Sequence, residues 1–239
     1  MSGHSKWNNI KAKKEKTDAQ KAKIFTKMGR EITVAVKEGG PNPEQNSKLK
    51  DVIAKAKSNN VPNDNIERII KKASGDGNSD NYENIIYEGY APAGVAVIIR
   101  ALTDNRNRTA GDVRHIFDKH GGNMGQSGSV SFLFDLLGII VIESNDIDAE
   151  KLMDDAISAG AEDFIIEDEY FEVRTNPHDF SAVSEALQNS GYKFLSAEIS
   201  YVPKTTVKVD NEEDALKIEK MLDMFEDNDD IQSVDTNME

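Results

Sequence analysis

The stretch VPNDNIERIIKKASGDGNSDNYENIIYEGYAPAGVAVIIRALT, residues 61–103, changes its hydrophobic period halfway along. Before the Gly/Asp/Asn-rich run 75–81, Ile66, Ile69, Ile70 and Ala73 recur at spacings of three and four, the period of a helix with one buried face. After it, Val95, Val97, Ile99 and Ala101 alternate, as the buried face of a strand does. Residues 82–90 form the preceding strand, and Ala91-Pro92-Ala93-Gly94 between them is a turn sequence suited to a hairpin. The spacing predicts a helical region followed by a strand-containing one, divided near residue 76.

Upstream, Ile24, Met28, Ile32 and Ala35 continue the helical period from an N-cap at Asp18 to the stop Gly39-Gly40-Pro41. A second helix is expected with Asn42 as its cap, Pro43 in the first turn, and Leu49, Val52, Ile53 and Ala56 as its buried stripe. In the third, Pro62 follows Val61 and Asn63 is the expected cap. Together these make a small three-helix bundle. Helix, short turn, helix invites a helix-turn-helix comparison, but Arg68, Lys71 and Lys72 lie toward the wrong end of the third helix for base reading.

Downstream, a helix is expected from a cap at Thr109 through Val113, Ile116 and Phe117 to His120. A strand at 129–135 would place Val130, Phe132 and Phe134 on one side. Residues 137–202 then give strand, helix, strand, strand, helix, strand, the order of a split ferredoxin-like unit, with the second helix opened by Asn176-Pro177. A strand at 205–209, a helix at 211–225 and a short strand at 231–234 are left over, and completing the earlier sheet is the simplest way to bury them. The predicted class is therefore α+β: an N-terminal three-helix bundle followed by two α/β (ferredoxin-like) domains, the last inserted into the middle one. The expected units are a basic arm at 1–17, the bundle at 18–76, a discontinuous middle domain of 77–136 plus 204–239, and the insertion at 137–203.

Charge is distributed unevenly over this plan. The net charge is -14, yet residues 1–75 carry +9 and the remainder -23. A positive lobe attracts a polyanion and releases its counterions, while the acidic lobe repels it. Nucleic acid is thus the expected partner, met basic end first. The expected contacts are Lys6, Lys11, Lys13, Lys14, Lys16, Lys21, Lys23, Lys27 and Arg30, with Trp7, the only tryptophan, able to stack on an exposed base. A solvated tail with Trp7 folded back on the first helix is the alternative reading of that arm.

Two further features suit an anion. Arg106 and Arg108 fall near an expected helix start, where free N–H groups favour negative charge. The loop Gly121, Gly122, Gly125, Gln126, Ser127, Gly128 and Ser129 is a candidate phosphate loop; alternatively its glycines only supply positive φ after a helix end.

Catalysis is not expected. The four histidines have no metal-ligand spacing, cysteine is absent, and neither a GxxxxGK[ST] nor a GxSxG motif occurs. The acid pairs Asp154-Asp155 and Glu167-Asp168-Glu169 read as solvated faces. No cofactor, metal or small-molecule substrate is expected. The absence of a long apolar run argues against a membrane partner, and the lack of a signal-like segment and of cysteine suits the cytoplasm.

Several blocks taken together resemble one family: GHSKWNNIK at 3–11, KIFTKMGREI at 23–32, VPNDNIERIIKKA at 61–73, YEGYAPAGVAVI at 87–98, TDNRNRT at 103–109 and GGNMGQSGSVSFLF at 121–134. They are similar to the YebC/PmpR family, to which the mitochondrial translational activator of cytochrome oxidase subunit I also belongs. The resemblance implies a three-helix N-terminal domain followed by two α/β domains enclosing a cleft. It also implies a cytoplasmic DNA-binding transcriptional regulator. Other members of the family imply a different role, that of a ribosome-associated translation factor which contacts ribosomal RNA and relieves stalling. A third reading, from charge alone, is a protein-binding adaptor whose acidic half meets a basic partner.

Overall fold

The computed structural model describes residues 18–75 and 81–239. Its elements run α1 (Asp18–Gly39), α2 (Ser47–Ser58), α3 (Asn63–Ala73), β1 (Glu83–Tyr90), β2 (Ala96–Thr103), α4 (Arg106–Lys119), β3 (Asn123–Met124), β4 (Phe134–Glu143), α5 (Ala149–Ala159), β5 (Asp163–Ile166), β6 (Tyr170–Thr175), α6 (Phe180–Asn189), β7 (Phe194–Pro203), α7 (Glu212–Asp227) and β8 (Ile231–Thr236). The fold is α+β, helices first and two four-stranded antiparallel sheets after.

The bundle closes over Met28, Ile32, Leu49, Ala56 and Ile66, the positions that the helical period marks. Its caps differ from expectation. The Asn42 side chain accepts the Glu44 N–H of a turn, and α2 begins later, at Ser47, where buried Asn46 accepts the Leu49 N–H at 3.0 Å. Asn46 is preferred because its amide also donates to the Ala35 and Gly40 carbonyls, both at 2.8 Å, and so ties the end of α1 to the start of α2. Asn63 is already helical; Pro62 precedes it and no side chain caps α3.

The first sheet has the order β3-β1-β2-β8, so the chain leaves it after β3 and returns for β8. Helices α4 and α7 cover one face over Val97, Ile99, Val113, Met221 and Phe225, with the Phe117 and Phe225 rings packed edge to face at 5.2 Å. Gly89 permits this closeness, because a Cβ there would lie 2.6 Å from the Asn123 carbonyl and 2.7 Å from the Phe117 ring.

The second sheet, β5-β6-β4-β7, carries the strand order of a ferredoxin-like unit, with α5 and α6 on one face over Ile140, Ile142, Leu152, Val173, Val183 and Leu187. The two expected strands at 129–135 and 138–143 are not separate. Residues 131–133 make a short 3-10 turn and β4 runs unbroken from Phe134, its first half pairing with the far end of β7. The expected strand at 205–209 is reduced to one bridge, between Val207 and Met238. Helix α6 starts at Phe180, since Asn176 holds a turn by accepting the His178 N–H.

The bundle touches both sheet units. Lys50 pairs with Glu185 at 2.7 Å and the Ser181 hydroxyl donates to Asp51, joining α2 to α6. Helix α1 reaches the end of α7 and the start of β8, a contact that also bears on the site.

Candidate nucleic-acid interface

Positions 23, 27 and 30 follow one another along one face of α1, because four- and three-residue steps nearly complete a helical turn. All three cations meet the segment 226–230. Lys23 pairs with Asp227 at 2.6 Å, and Lys27 donates to the Glu226 carbonyl at 2.7 Å. Arg30 bonds Asp230 Oδ1 at 2.5 Å, the Asp229 carbonyl at 3.0 Å and the Leu102 carbonyl at 3.3 Å, with its guanidinium also over the Tyr82 ring. Three residues expected to meet nucleic acid thus hold the bundle against the rest of the molecule. Lys21 is exposed at the start of this helix. Lys6, Trp7, Lys11, Lys13, Lys14 and Lys16 lie outside the described residues.

Asp230 is the centre of that contact. Its side chain is 5% exposed, and its second oxygen receives Arg108 at 2.7 Å and the Thr109 hydroxyl at 2.7 Å. Burial alone raises a carboxyl pKa, but the hydrogen bonds from Arg108, Arg30 and Thr109 outweigh it and hold this one at about 2. Arg108, paired with Asp104 as well, is pushed up by the same bonds. The helix starts earlier than the expected Thr109, at Arg106, capped by Asn105, which accepts the Arg108 N–H at 3.1 Å. Thr109 is drawn into the helix because its hydroxyl answers Asp230. Arg106 is exposed, and Tyr87 donates to its carbonyl at 3.4 Å.

Main-chain N–H groups at the end of the glycine-rich loop converge on a carboxylate of the protein itself. Glu88, on β1, is 4% exposed and accepts the N–H groups of Gly128 at 2.8 Å, Val130 at 2.7 Å and Ser131 at 2.8 Å. Burial pushes its pKa up, but these three main-chain donors prevail and hold it below the usual carboxylate range. Gly128 takes φ 87° to turn the donors inward. Other loop groups are also engaged: Gly121 N–H bonds Asp118 O, Gly122 N–H bonds Phe117 O, Gly125 N–H bonds Glu88 O, and Ser129 N–H bonds Gln126 O. Gln126 and Ser127 remain exposed at the tip.

Other cations sit outward on the bundle: Lys57 in the last turn of α2, and Arg68, Lys71 and Lys72 on α3. Among the described residues, Lys57, Lys71 and Lys72 have no carboxylate partner. From sequence, Arg68, Lys71 and Lys72 enter only the helix-turn-helix comparison, and Lys57 carries no signal of its own. Glu88 and Asp230, which decide how the two anion-seeking elements are used, were missed; the sequence signal for Glu88 is that it is the one acid in the run 85–90, IIYEGY. Among the acid pairs, Asp155 is held by Lys151 at 2.9 Å and Tyr192 at 2.7 Å. Among the described residues no three His, Asp or Glu side chains gather as a metal would need, and no helix is long and apolar enough to cross a membrane.

Comparison with known proteins covers almost the whole chain. Residues 5–76 match the family model described as the TACO1/YebC protein N-terminal domain, and residues 82–238 match the TACO1/YebC second and third domain. A relative from Acetivibrio thermocellus is 59% identical over 235 residues, 98% of this chain and 97% of its own length, and is named "Probable transcriptional regulatory protein". One from Finegoldia magna with the same name is 56% identical, covering 99% of this chain and 98% of its own. The crystal structure of a conserved hypothetical protein from Aquifex aeolicus superposes with a TM-score of 0.83 at 46% identity, over 94% of this chain and 92% of that one.

Proposed function

The chain belongs to the TACO1/YebC family, and from that premise we propose that it is a non-enzymatic, cytoplasmic regulator of gene expression that binds DNA through its basic N-terminal part. The relatives' name, transcriptional regulatory protein, supports the regulatory role. The observation that carries nucleic-acid binding is the charge polarity, +9 over residues 1–75 against -23 beyond. On this reading the arm at 1–17, with Lys6, Trp7, Lys11, Lys13, Lys14 and Lys16, makes the first contacts. The exposed cations Lys21, Lys57, Arg68, Lys71 and Lys72 of the unit at 18–76 extend that surface. The units at 77–136 plus 204–239 and at 137–203 form an acidic body kept off the strand. Arg106 and the loop tip at Gln126 and Ser127 are a second contact on the same target; Arg108 and the Glu88-filled part of the loop are left out of it, while Lys23, Lys27 and Arg30 face the segment 226–230.

A second reading, translation rather than transcription, draws on the surface of α3. Its exposed N-terminal half offers Asp64 and Glu67, and its cations follow at Arg68, Lys71 and Lys72. Base-reading helices enter the major groove by their N-terminal end, so this polarity suits an irregular, phosphate-lined RNA better than a duplex groove.

The test is binding of labelled duplex DNA and of a ribosomal RNA fragment across a salt series. If about six phosphates are neutralised, affinity falls by roughly 10³ between 50 and 200 mM salt. Deleting residues 1–16 is expected to remove most of that slope. A clear preference for RNA moves the role to translation, and failure to bind either at low salt overturns nucleic-acid binding altogether.

A further inference from the structure

We propose that the segment 226–230 is an internal substitute for a phosphate strand, which competes with nucleic acid for Lys23, Lys27 and Arg30 and so holds the bundle in an autoinhibited position. The inference rests on the nucleic-acid-binding reading above.

The acceptors arrayed against α1 are those a phosphate strand would provide: carboxylate oxygens at Asp227 and Asp230, and main-chain carbonyls at Glu226 and Asp229. They stand at the C-terminal end of α7, where unsatisfied carbonyls carry the negative end of the helix dipole. No basic residue lies in the last turn of α7, so the cations that complement this end come from α1, about 200 residues earlier in the chain. Positions 23 to 30 span about 10 Å of helix, enough to follow two or three successive phosphates.

The contact has an exchangeable rim and a fixed centre. Lys23 and Asp227 keep 37% and 70% of their side-chain surface in water, so ions and polyanions reach them readily. Arg30 and Asp230 keep 17% and 5%, and polyanion must displace a buried partner to reach that arginine. Binding at the arm raises the local phosphate concentration beside Lys23 and Lys27. These exchange first, and the gain from engaging the full stripe draws the bundle off the end of α7.

The absence of cysteine permits a clean test. In the full chain carrying K23C and D227C, a short bismaleimide spans the two thiols; the control has both thiols capped with a monofunctional maleimide. Both forms have lost the same two charges and differ only in whether the bundle can leave. The capped form is expected to bind labelled DNA or RNA roughly tenfold more tightly than the bridged form at about 100 mM salt, with a salt slope steeper by about two, as Lys27 and Arg30 become available. A second variant, D227N, avoids modification; it is expected to bind a few-fold more tightly than the unaltered chain. Equal affinity and slope for bridged and capped protein, or no gain in D227N, overturns the autoinhibitory contact. If the unaltered chain itself fails to bind, it is the nucleic-acid-binding reading that falls, a different result from equal binding by the two forms.

Discussion

Two regions of this molecule are built to attract an anion, and both are occupied from within. At the glycine loop the donors are three main-chain N–H groups and the occupant is Glu88, 4% exposed. At α1 the donors are two lysines and an arginine, and the outer occupant, Asp227, has a side chain 70% exposed. The difference is one of solvation. Main-chain donors around a buried carboxylate cannot turn to water when the carboxylate leaves, so removing it strands them; a lysine on the surface exchanges a carboxylate for water or phosphate at little cost. The first site is structural and the second is available for competition.

That contrast can be broken most directly at Glu88. Replacing it by Ala leaves the Gly128, Val130 and Ser131 N–H groups without their acceptor, and a loss of roughly 3–5 kcal/mol in urea unfolding is expected. A loss below about 1 kcal/mol would mean that the loop reorganises around water and is no more structural than the α1 stripe.

Asp230 stands between the two extremes, buried like Glu88 yet bonded to side chains. Its carboxyl titrates at about 2 when folded against 3.8 ordinarily, a depressed pKa that stabilises the folded state above the unfolded value. The contribution, about 2 kcal/mol, should be complete above roughly pH 4 and disappear as the pH falls toward about 2. Unfolding measured as a function of pH should show this acid limb, and D230N should flatten it. Glu88, also depressed, contributes in the same direction.

The smallest effect belongs to the rim. K23A should change stability by no more than about 0.5 kcal/mol, because its partner Asp227 returns to water. A loss above about 1.5 kcal/mol in the same urea measurement would make the rim as rigid as the centre and remove the basis for competition.

Helix and strand existence was legible because it depends on local period: Ile66, Ile69, Ile70 and Ala73 could form one apolar face only in a helix, and Val95, Val97, Ile99 and Ala101 only in a strand. Caps were less legible. Asn42 and Asn46 are equally good candidates by type, and the choice fell to Asn46 because the end of α1 needs its amide. Thr109 looked like a cap until Asp230, far along the chain, claimed its hydroxyl. The use of the basic residues was least legible of all. Nothing near Lys23, Lys27 or Arg30 in sequence announces that residues 226–230 will face them.

By itself the sequence determined the family, the α+β class and the separation of charge, since motif order, hydrophobic period and residue counts are properties of the chain alone. Tertiary structure decided which charges are answered internally and how tightly. A cation's partner and its exposure depend on elements brought together from opposite ends of the chain, and those two quantities fix whether a charge holds the fold or remains open to a ligand.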